Sequence, residues 1–154
     1  MSFERLSATH GSVPLLSIPT VVLDTETTGL DPATDRVVQV GAVRLKGNQI
    51  DRHDTFDVLI NPQVPIPASS TAIHGIGEQD VVAAADFTAA LTKFAAWTGP
   101  ALVVGYAIGF DLSVLRAEHA RNGTTWQGPR SLDVRDLIQV IAPDLPQASL
   151  EVAA

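Results

Sequence analysis

The feature that most constrains this chain is an apolar, β-branched run that leads into two acids, Val21-Val22-Leu23-Asp24-Thr25-Glu26. Such a run predicts a buried central strand. Alternate residues of a strand share a face, so Asp24 and Glu26 lie on one side, roughly 7 Å apart, and Thr25 lies on the other. Two acids on one face of a buried strand repel each other and lose hydration. A divalent cation between them removes both penalties, and oxygen ligands suit Mg²⁺ or Mn²⁺.

An Asp-x-Glu tripeptide is also common on solvated surfaces, where its acids have no special role. The apolar run before Asp24 favours the first interpretation, because it places the acids at the end of a core strand. Gly29 follows shortly afterwards and allows the backbone to turn sharply, close to whatever the metal holds.

The composition predicts one globular domain. The chain has 154 residues, of which 45% are hydrophobic, which is enough for a sizeable core. It contains no apolar run of membrane-spanning length, so no membrane partner is expected. It has no cysteine, which excludes disulfides and thiolate metal sites and is compatible with the cytoplasm, the location we expect. A net charge of −7 argues against a long basic groove, so any contacts with nucleic acid would be local.

The residue pattern predicts an N-terminal arm over 1–19 without structure of its own, and a domain over 20–154. The domain opens with three strands in an antiparallel meander, and a two-residue turn at Gly47-Asn48 joins the last two. These strands cover about 20–26, 37–46 and 49–60.

A proline-rich stretch, 61–67, follows, either as a surface connector or as a ligand for a proline-binding domain. After it the pattern alternates between helices and strands: a short helix ended by Gly75, a helix capped by Asp86, a strand at 101–105, a helix at 110–121, a strand at about 130–134, a helix at 135–141 and the start of a helix after Ser149. The apolar stripe of the helix after Asp86 consists of Phe87, Ala90, Leu91, Phe94 and Ala95.

Three motifs occur in order along the chain: Asp24-Thr25-Glu26-Thr27-Thr28-Gly29-Leu30, Ile73-His74-Gly75-Ile76, and Val104-Gly105-Tyr106-Ala107-Ile108-Gly109-Phe110-Asp111. Together they resemble the DEDD exonucleases, the epsilon subunit of bacterial DNA polymerase III and its ribonuclease T-like relatives, over about 18–154. The resemblance implies an α/β, ribonuclease H-like fold, with a mixed five-stranded sheet and helices on both faces. It also implies removal of nucleotides from 3′ ends of DNA or RNA by two-metal-ion hydrolysis, with Mg²⁺ or Mn²⁺.

The resemblance assigns metal binding and catalysis to Asp24, Glu26 and Asp111. An ordinary role for Asp111 would be to offset the dipole of its helix. Substrate contacts, with a single-stranded 3′ end or a nucleotide, are expected from Thr25, Thr27, Thr28, Gly29, Leu30, His74, Ile76 and Tyr106. For Leu30 and Ile76 the alternatives are a wedge against the terminal base and a place in the core, and His74 would contact substrate or have a structural role.

Two departures from the family pattern affect this interpretation. Gly105-Tyr106-Ala107 stands where the family usually has Gly-His-Asn, so an amide is missing; Tyr106 would stack or hydrogen-bond instead, or be a core or rim residue. The family's third motif, a His or Tyr followed by an Asp, lies beyond a helix that resembles 150–154, so we expect a truncated site without the fourth metal ligand and the general base. His119 is expected to lie too far away, facing solvent.

A homodimer or a larger chain would then supply the missing motif. The alternative function is a non-catalytic nucleotide- or nucleic-acid-binding or regulatory module that keeps the same fold.

Overall fold

A mixed five-stranded sheet forms the centre of the computed structural model, which describes residues 14–144. The strand order is β3-β2-β1-β4-β5. β1 pairs antiparallel with β2 and β2 with β3, whereas β4 is parallel to both β1 and β5. The strands are β1 (Thr20–Thr27), β2 (Val37–Lys46), β3 (Gln49–Leu59), β4 (Leu102–Gly105) and β5 (Ser131–Asp133).

The helices lie after β3 and around the two parallel strands. They are α1 (Ala68–His74), α2 (Glu78–Val81), α3 (Phe87–Thr98), α4 (Gly109–Arg121) and α5 (Val134–Ile141). Gly75 ends α1 with φ 79°, in the left-handed region that glycine adopts without steric cost. Asp86 caps α3, because its carboxylate accepts a hydrogen bond from the Ala89 backbone N–H at 2.8 Å.

The main core lies between one face of the sheet and the long helices α3 and α4. It includes Val21, Leu23, Val40, Ala42, Phe56, Phe87, Ala90, Leu91, Phe94, Val103, Val114 and Leu115. A second, smaller cluster forms around β2 and the short helices, with Val38, Ile66, Ile76 and Val81. Leu23 lies in the main core, so its neighbour Asp24 points to the opposite face of β1.

The predicted α/β fold, with a mixed five-stranded sheet whose first three strands are antiparallel, is confirmed. Two details differ. Ala95 is exposed, and the buried stripe of α3 ends with Thr98, one turn beyond Phe94. The four-residue helix α2 was not predicted; its Asp80 accepts a hydrogen bond from the Gly77 N–H at 2.7 Å.

Parts of the predicted termini lie outside the described residues, namely 1–13 of the arm and the helix expected after Ser149. Contrary to the expected lack of structure in the arm, Leu15–Ser17 form one turn of 3₁₀-helix. The Pro19 carbonyl accepts a hydrogen bond from Leu102 N–H at 2.8 Å, at the start of β4. No helix within residues 14–144 is long and apolar enough to cross a membrane.

Candidate functional site

The two acids of β1 border an open groove on the face of the sheet that faces away from the main core. Asp24 is exposed and Glu26 half-buried, while Thr25 between them is buried. The groove has a volume of about 440 Å³ and crosses β1, β2 and β3. Its polar lining comprises Asp24, Glu26, Gln39, Thr55 and Asp57. The alternation predicted for the strand is therefore present.

Asp111 reaches β1 from the first turn of α4. Its Oδ1 accepts hydrogen bonds from the Thr25 backbone N–H at 2.9 Å and from the Thr25 hydroxyl at 2.7 Å. β4 pairs with β1 only from Thr20 to Val22, so the later part of β1 meets this carboxylate on that side. Asp111 is 5% exposed, and its hydrogen bonds with Thr25 connect α4 to the strand that carries the other two acids.

The three acids are electrostatically coupled through Asp24. The pKa of Asp111 is raised to about 6. Burial raises it most, hydrogen bonds from Thr25 lower it, and the charge of Asp24 raises it. Burial also raises the pKa of Glu26, and Asp24 raises it further, whereas His74 lowers it. The Asp24 carboxyl, although exposed, loses part of its hydration in the folded chain; this raises its pKa, and the hydrogen bond with the Thr25 backbone lowers it. Asp24 thus disfavours ionisation of both other acids.

The acids fit a divalent cation in donor chemistry. Carboxylate oxygens are the ligands of Mg²⁺ and Mn²⁺, and a cation would relieve the repulsion that raises the pKa values of Glu26 and Asp111. Within residues 14–144, no group of three or more His, Cys, Asp or Glu side chains is close enough together to hold a metal ion. The structure therefore shows a coupled trio of acids, with Asp111 turned towards Thr25, and not a closed coordination shell.

The three threonines of the first motif use their hydroxyls within the protein. The Thr27 hydroxyl donates to the Gly29 carbonyl at 2.6 Å, and that of Thr28 donates to Asp35 Oδ1 at 3.1 Å. A Cβ on Gly29 would lie 2.5 Å from the Asp35 carboxylate, so a side chain there would displace Asp35. These contacts fold the stretch after β1 back on itself, and they leave its backbone rather than its hydroxyls for the expected substrate contact.

Leu30 and Ile76, for which the sequence left two roles open, differ in burial. Leu30 is 85% exposed in the loop after β1, so it is not a core residue. Ile76 is 9% exposed and packs in the smaller core cluster. The Ser70 hydroxyl donates to the Thr28 carbonyl at 2.7 Å, which holds α1 against the same loop. Of the two, only Leu30 projects towards solvent.

His74 combines a structural contact with proximity to the acids. Its Nδ1 accepts a hydrogen bond from the Ile76 backbone N–H at 3.0 Å, which leaves the proton of a neutral ring on Nε2. In the described part of the chain, the buried Nε2 has no hydrogen-bond partner. His74 lowers the pKa of Glu26, so the ring lies near that acid. The structural role is present, and the substrate contact stays a prediction.

Tyr106 lies half-buried in the turn between β4 and α4. The next residue, Ala107, has φ 53°, and its N–H donates to Asp133 Oδ1 at 2.9 Å. The same oxygen of Asp133 accepts a hydrogen bond from Arg135 N–H at 2.9 Å and so caps α5. This arrangement fixes the backbone beside Tyr106, whose expected contact with substrate stays a prediction.

The expectation that His119 faces solvent is wrong. Its ring packs between Phe87 and Trp126, with both centroid distances 5.2 Å, and its Nδ1 is 2.7 Å from the Thr124 hydroxyl oxygen. Burial lowers the pKa of His119. The aromatic neighbours belong to or pack against the main core, so His119 lies on the side of the sheet away from Asp24.

Sequence reasoning missed a charged cluster that holds the loop after β1, formed by Arg36, Glu118 and Arg121 and called here the α4 clasp. Glu118 is 1% exposed, and the Arg36 guanidinium donates to both of its carboxylate oxygens. Arg121 donates to the carbonyls of Pro32, Ala33 and Asp35 at 3.4, 2.6 and 2.9 Å. One feature of the sequence could have identified Glu118. It follows Val114 and Leu115 by four and three residues, which places an acid on the buried stripe of α4.

Comparison with known proteins adds a family. The exonuclease family model RNase_T matches residues 21–154. A DNA polymerase III subunit epsilon-like protein of Rhodobacter capsulatus is 39% identical over 117 residues, covering 75% of this chain and 17% of that protein. A PolC-type DNA polymerase III of Caldanaerobacter subterraneus is 34% identical over 134 residues, covering 87% of this chain and 9% of the relative. The chain thus spans less than a fifth of either relative.

A solved structure shares the fold. Exonuclease X in complex with 5′ overhanging duplex DNA superposes with a TM-score of 0.65 at 20% identity, over 84% of this chain and 68% of that one. At this identity the likeness concerns the fold of the chain.

Proposed function

The chain belongs to the RNase_T exonuclease family, and from this premise we propose that it removes nucleotides from the 3′ ends of single-stranded DNA or RNA, using Mg²⁺ or Mn²⁺. Family members act with divalent metal ions. The observation that carries the proposal is that Asp24, which lines an open groove together with Glu26, is electrostatically coupled to both Glu26 and Asp111. Because the charge of Asp24 disfavours ionisation of both Glu26 and Asp111, a bound cation would offset this repulsion and favour the ionised form of all three carboxyls.

The residues have separate tasks in this proposal. Asp24, coupled to both other acids, would hold metal together with Glu26 and Asp111. When bound, divalent ions offset the charge of the phosphodiester and of the departing oxygen. Thr25 orients Asp111 through two hydrogen bonds, and the folded loop after β1 presents its backbone and Leu30 to the terminal nucleotide. His74, whose ring lies near Glu26, would contact the same nucleotide.

A 3′-labelled single strand tests the activity directly. With Mn²⁺ present, wild type should release labelled nucleotide only weakly, because the general base of the family's third motif is not found in this sequence, and Asp24→Asn should abolish the release. Loss of a general base lowers the rate of cleavage by roughly 10²–10⁴, so the assay has to resolve slow turnover. Asp57→Asn is the matched control, because it changes another acid of the same groove that stands outside the trio. Equal loss in both variants would contradict the assignment of Asp24.

The second candidate is a nucleotide- or nucleic-acid-binding module without catalysis. The lack of a closed group of three metal-ligating side chains among residues 14–144 favours it. Binding of a labelled strand without any Asp24-dependent release would support this candidate over the first.

The proposal extends to the source of the third motif and to the location of the chain. We propose that the third motif comes from a longer chain, which the much greater length of both relatives supports. A cysteine-free sequence is compatible with the cytoplasm, and we propose that location.

A further inference from the structure

The segment from Thr25 to Val37 carries Glu26 and Leu30, and α4 holds it at both ends. At the first end, Asp111 accepts two hydrogen bonds from Thr25. At the other end, Glu118 accepts from the side chain of Arg36 and from the Val37 backbone N–H at 3.3 Å. The two anchors are seven residues apart on one helix, which is about 10 Å along its axis. Their separation is therefore set by a rigid element.

The buried position of Glu118 makes its anchor specific. The carboxylate is 1% exposed, and an unpaired buried charge is strongly unfavourable. The bidentate geometry with Arg36 fixes direction as well as distance, which a single contact would not do. The start of β2 is thus tied to α4 in one arrangement.

Arg121 extends the anchor to the middle of the segment. Its guanidinium donates to three carbonyls of the turn between β1 and β2, and these contacts join residues 86 to 89 positions apart in the sequence. Within the turn, Asp31 and Asp35 make hydrogen bonds with the N–H groups of Ala33 and Asp31, so the turn moves as a unit. Leu30, 85% exposed, stands immediately before it.

We propose that Arg36, Glu118 and Arg121 are positioning residues, which hold the Thr25–Val37 segment so that Leu30 and the backbone beside it meet the 3′-terminal nucleotide. This inference rests on the proposed function. The clasp does not touch the acids, and Asp24 and Glu26 keep their register with β2 through the strand pairing. Loss of the clasp should therefore weaken the binding of a strand while leaving the response to metal intact.

Arg121→Met is the variant of choice, because it removes the three donations to the turn, together with the 3.5 Å ion pair between Arg121 and Glu118, and leaves the bidentate pair of Arg36 with Glu118. Arg116→Met is the matched control: Arg116 lies on the same helix, is exposed, and its loss changes the net charge equally. Arg121→Lys keeps the charge but lacks the planar set of donors, and should behave between wild type and Arg121→Met.

The first measurement is amide hydrogen exchange of the turn, which does not depend on any activity. Exchange at Asp31, Ala33, Thr34 and Asp35, whose N–H groups are hydrogen-bonded within the turn, should accelerate about 10-fold in Arg121→Met relative to Arg116→Met. Equal exchange in the two variants would overturn the proposal.

The second measurement is the affinity for a fluorescent single-stranded oligonucleotide in Ca²⁺. If the clasp keeps the Thr25–Val37 segment in the conformation that binds a strand, Arg121→Met should weaken the binding about 10-fold. The Mn²⁺-induced rise in melting temperature should stay the same as in Arg116→Met. Faster exchange with unchanged affinity would refute the positioning role. If wild type binds no strand and shows no Mn²⁺ response, the proposed function fails, and the exchange result still decides whether the clasp holds the segment.

Discussion

At the scale of single residues, the structure shows one carboxyl under two opposing influences. Asp111 is buried and lies near the charge of Asp24, which together raise its pKa to about 6 against the hydrogen bonds from Thr25. An unfolded Asp titrates near 3.8. Between these two pH values the folded chain binds the additional proton, so this group makes the metal-free protein more stable as the pH falls from about 6 towards 4.

Asp111→Asn should remove this pH dependence. In chelator, we expect the variant to be more stable than wild type at pH 7, since its neutral amide oxygen still accepts from Thr25 without a buried charge. The advantage should shrink between about pH 6 and pH 4, as Asp111 of folded wild type becomes protonated. Urea denaturation across this range measures it. A difference in the free energy of unfolding that stays constant with pH would contradict the raised pKa.

Glu118 provides a second prediction at this scale. Glu118→Gln keeps the shape of the side chain but leaves the Arg36 guanidinium without its opposite charge, so the free energy of unfolding should fall by about 3 kcal/mol. Lys46→Gln breaks the ion pair between Lys46 and Asp51; the Lys46 side chain is 73% exposed, so this loss should be much smaller than that of Glu118→Gln. Chemical denaturation of both variants gives the comparison, and similar losses would argue against a special role for the buried pair.

At the scale of secondary-structure elements, local signals predicted most boundaries. Alternation identified β2 at Val37–Lys46, and Asp86 identified the start of α3. The helix α2 was missed because four residues carry too little periodicity, and Ala95 was misplaced because an apolar stripe does not show where packing ends. The clasp depends on partners 82 residues apart, which no local pattern connects. Likewise, the motifs identified Asp111, but its contact with Thr25 required the folded chain.

The passage from β4 into α4 offers a test of close packing. A Cβ on Gly105 would lie 2.8 Å from the Leu23 carbonyl oxygen and 2.6 Å from Ile108 Cδ1, so Gly105→Ala forces backbone and side chain apart. We expect a loss of about 1–3 kcal/mol and a weaker Mn²⁺ response, because β1 and α4 carry the acids. Gly109→Ala is the control: nothing lies within 4 Å of its Cβ, and in the helix alanine should be neutral or better. Equal stability of the two variants would contradict the close approach.

At the scale of the whole molecule, the sheet separates two environments. One face of β1 to β3 packs against α3 and α4 through the main core, and the other borders the groove with Asp24 and Glu26. The parallel pairing of β4 with β1 brings the start of α4 beside the strand, so that residues 86 positions apart meet. The three acids therefore come together only in the folded chain, so metal binding to them would depend on the native fold.

Metal should stabilise the folded chain, because an unfolded chain does not hold the three acids together. At a free Mn²⁺ concentration about 100-fold above the dissociation constant, the stabilisation is about 2.7 kcal/mol, which for a domain of this size raises the melting temperature by about 5–10 °C. Asp24→Asn should lose most of this rise, since Asp24 is coupled to both other acids. Asp57→Asn, in the same groove, should keep it. Differential scanning fluorimetry with and without chelator gives the measurement, and equal shifts in all three proteins would place the bound metal elsewhere.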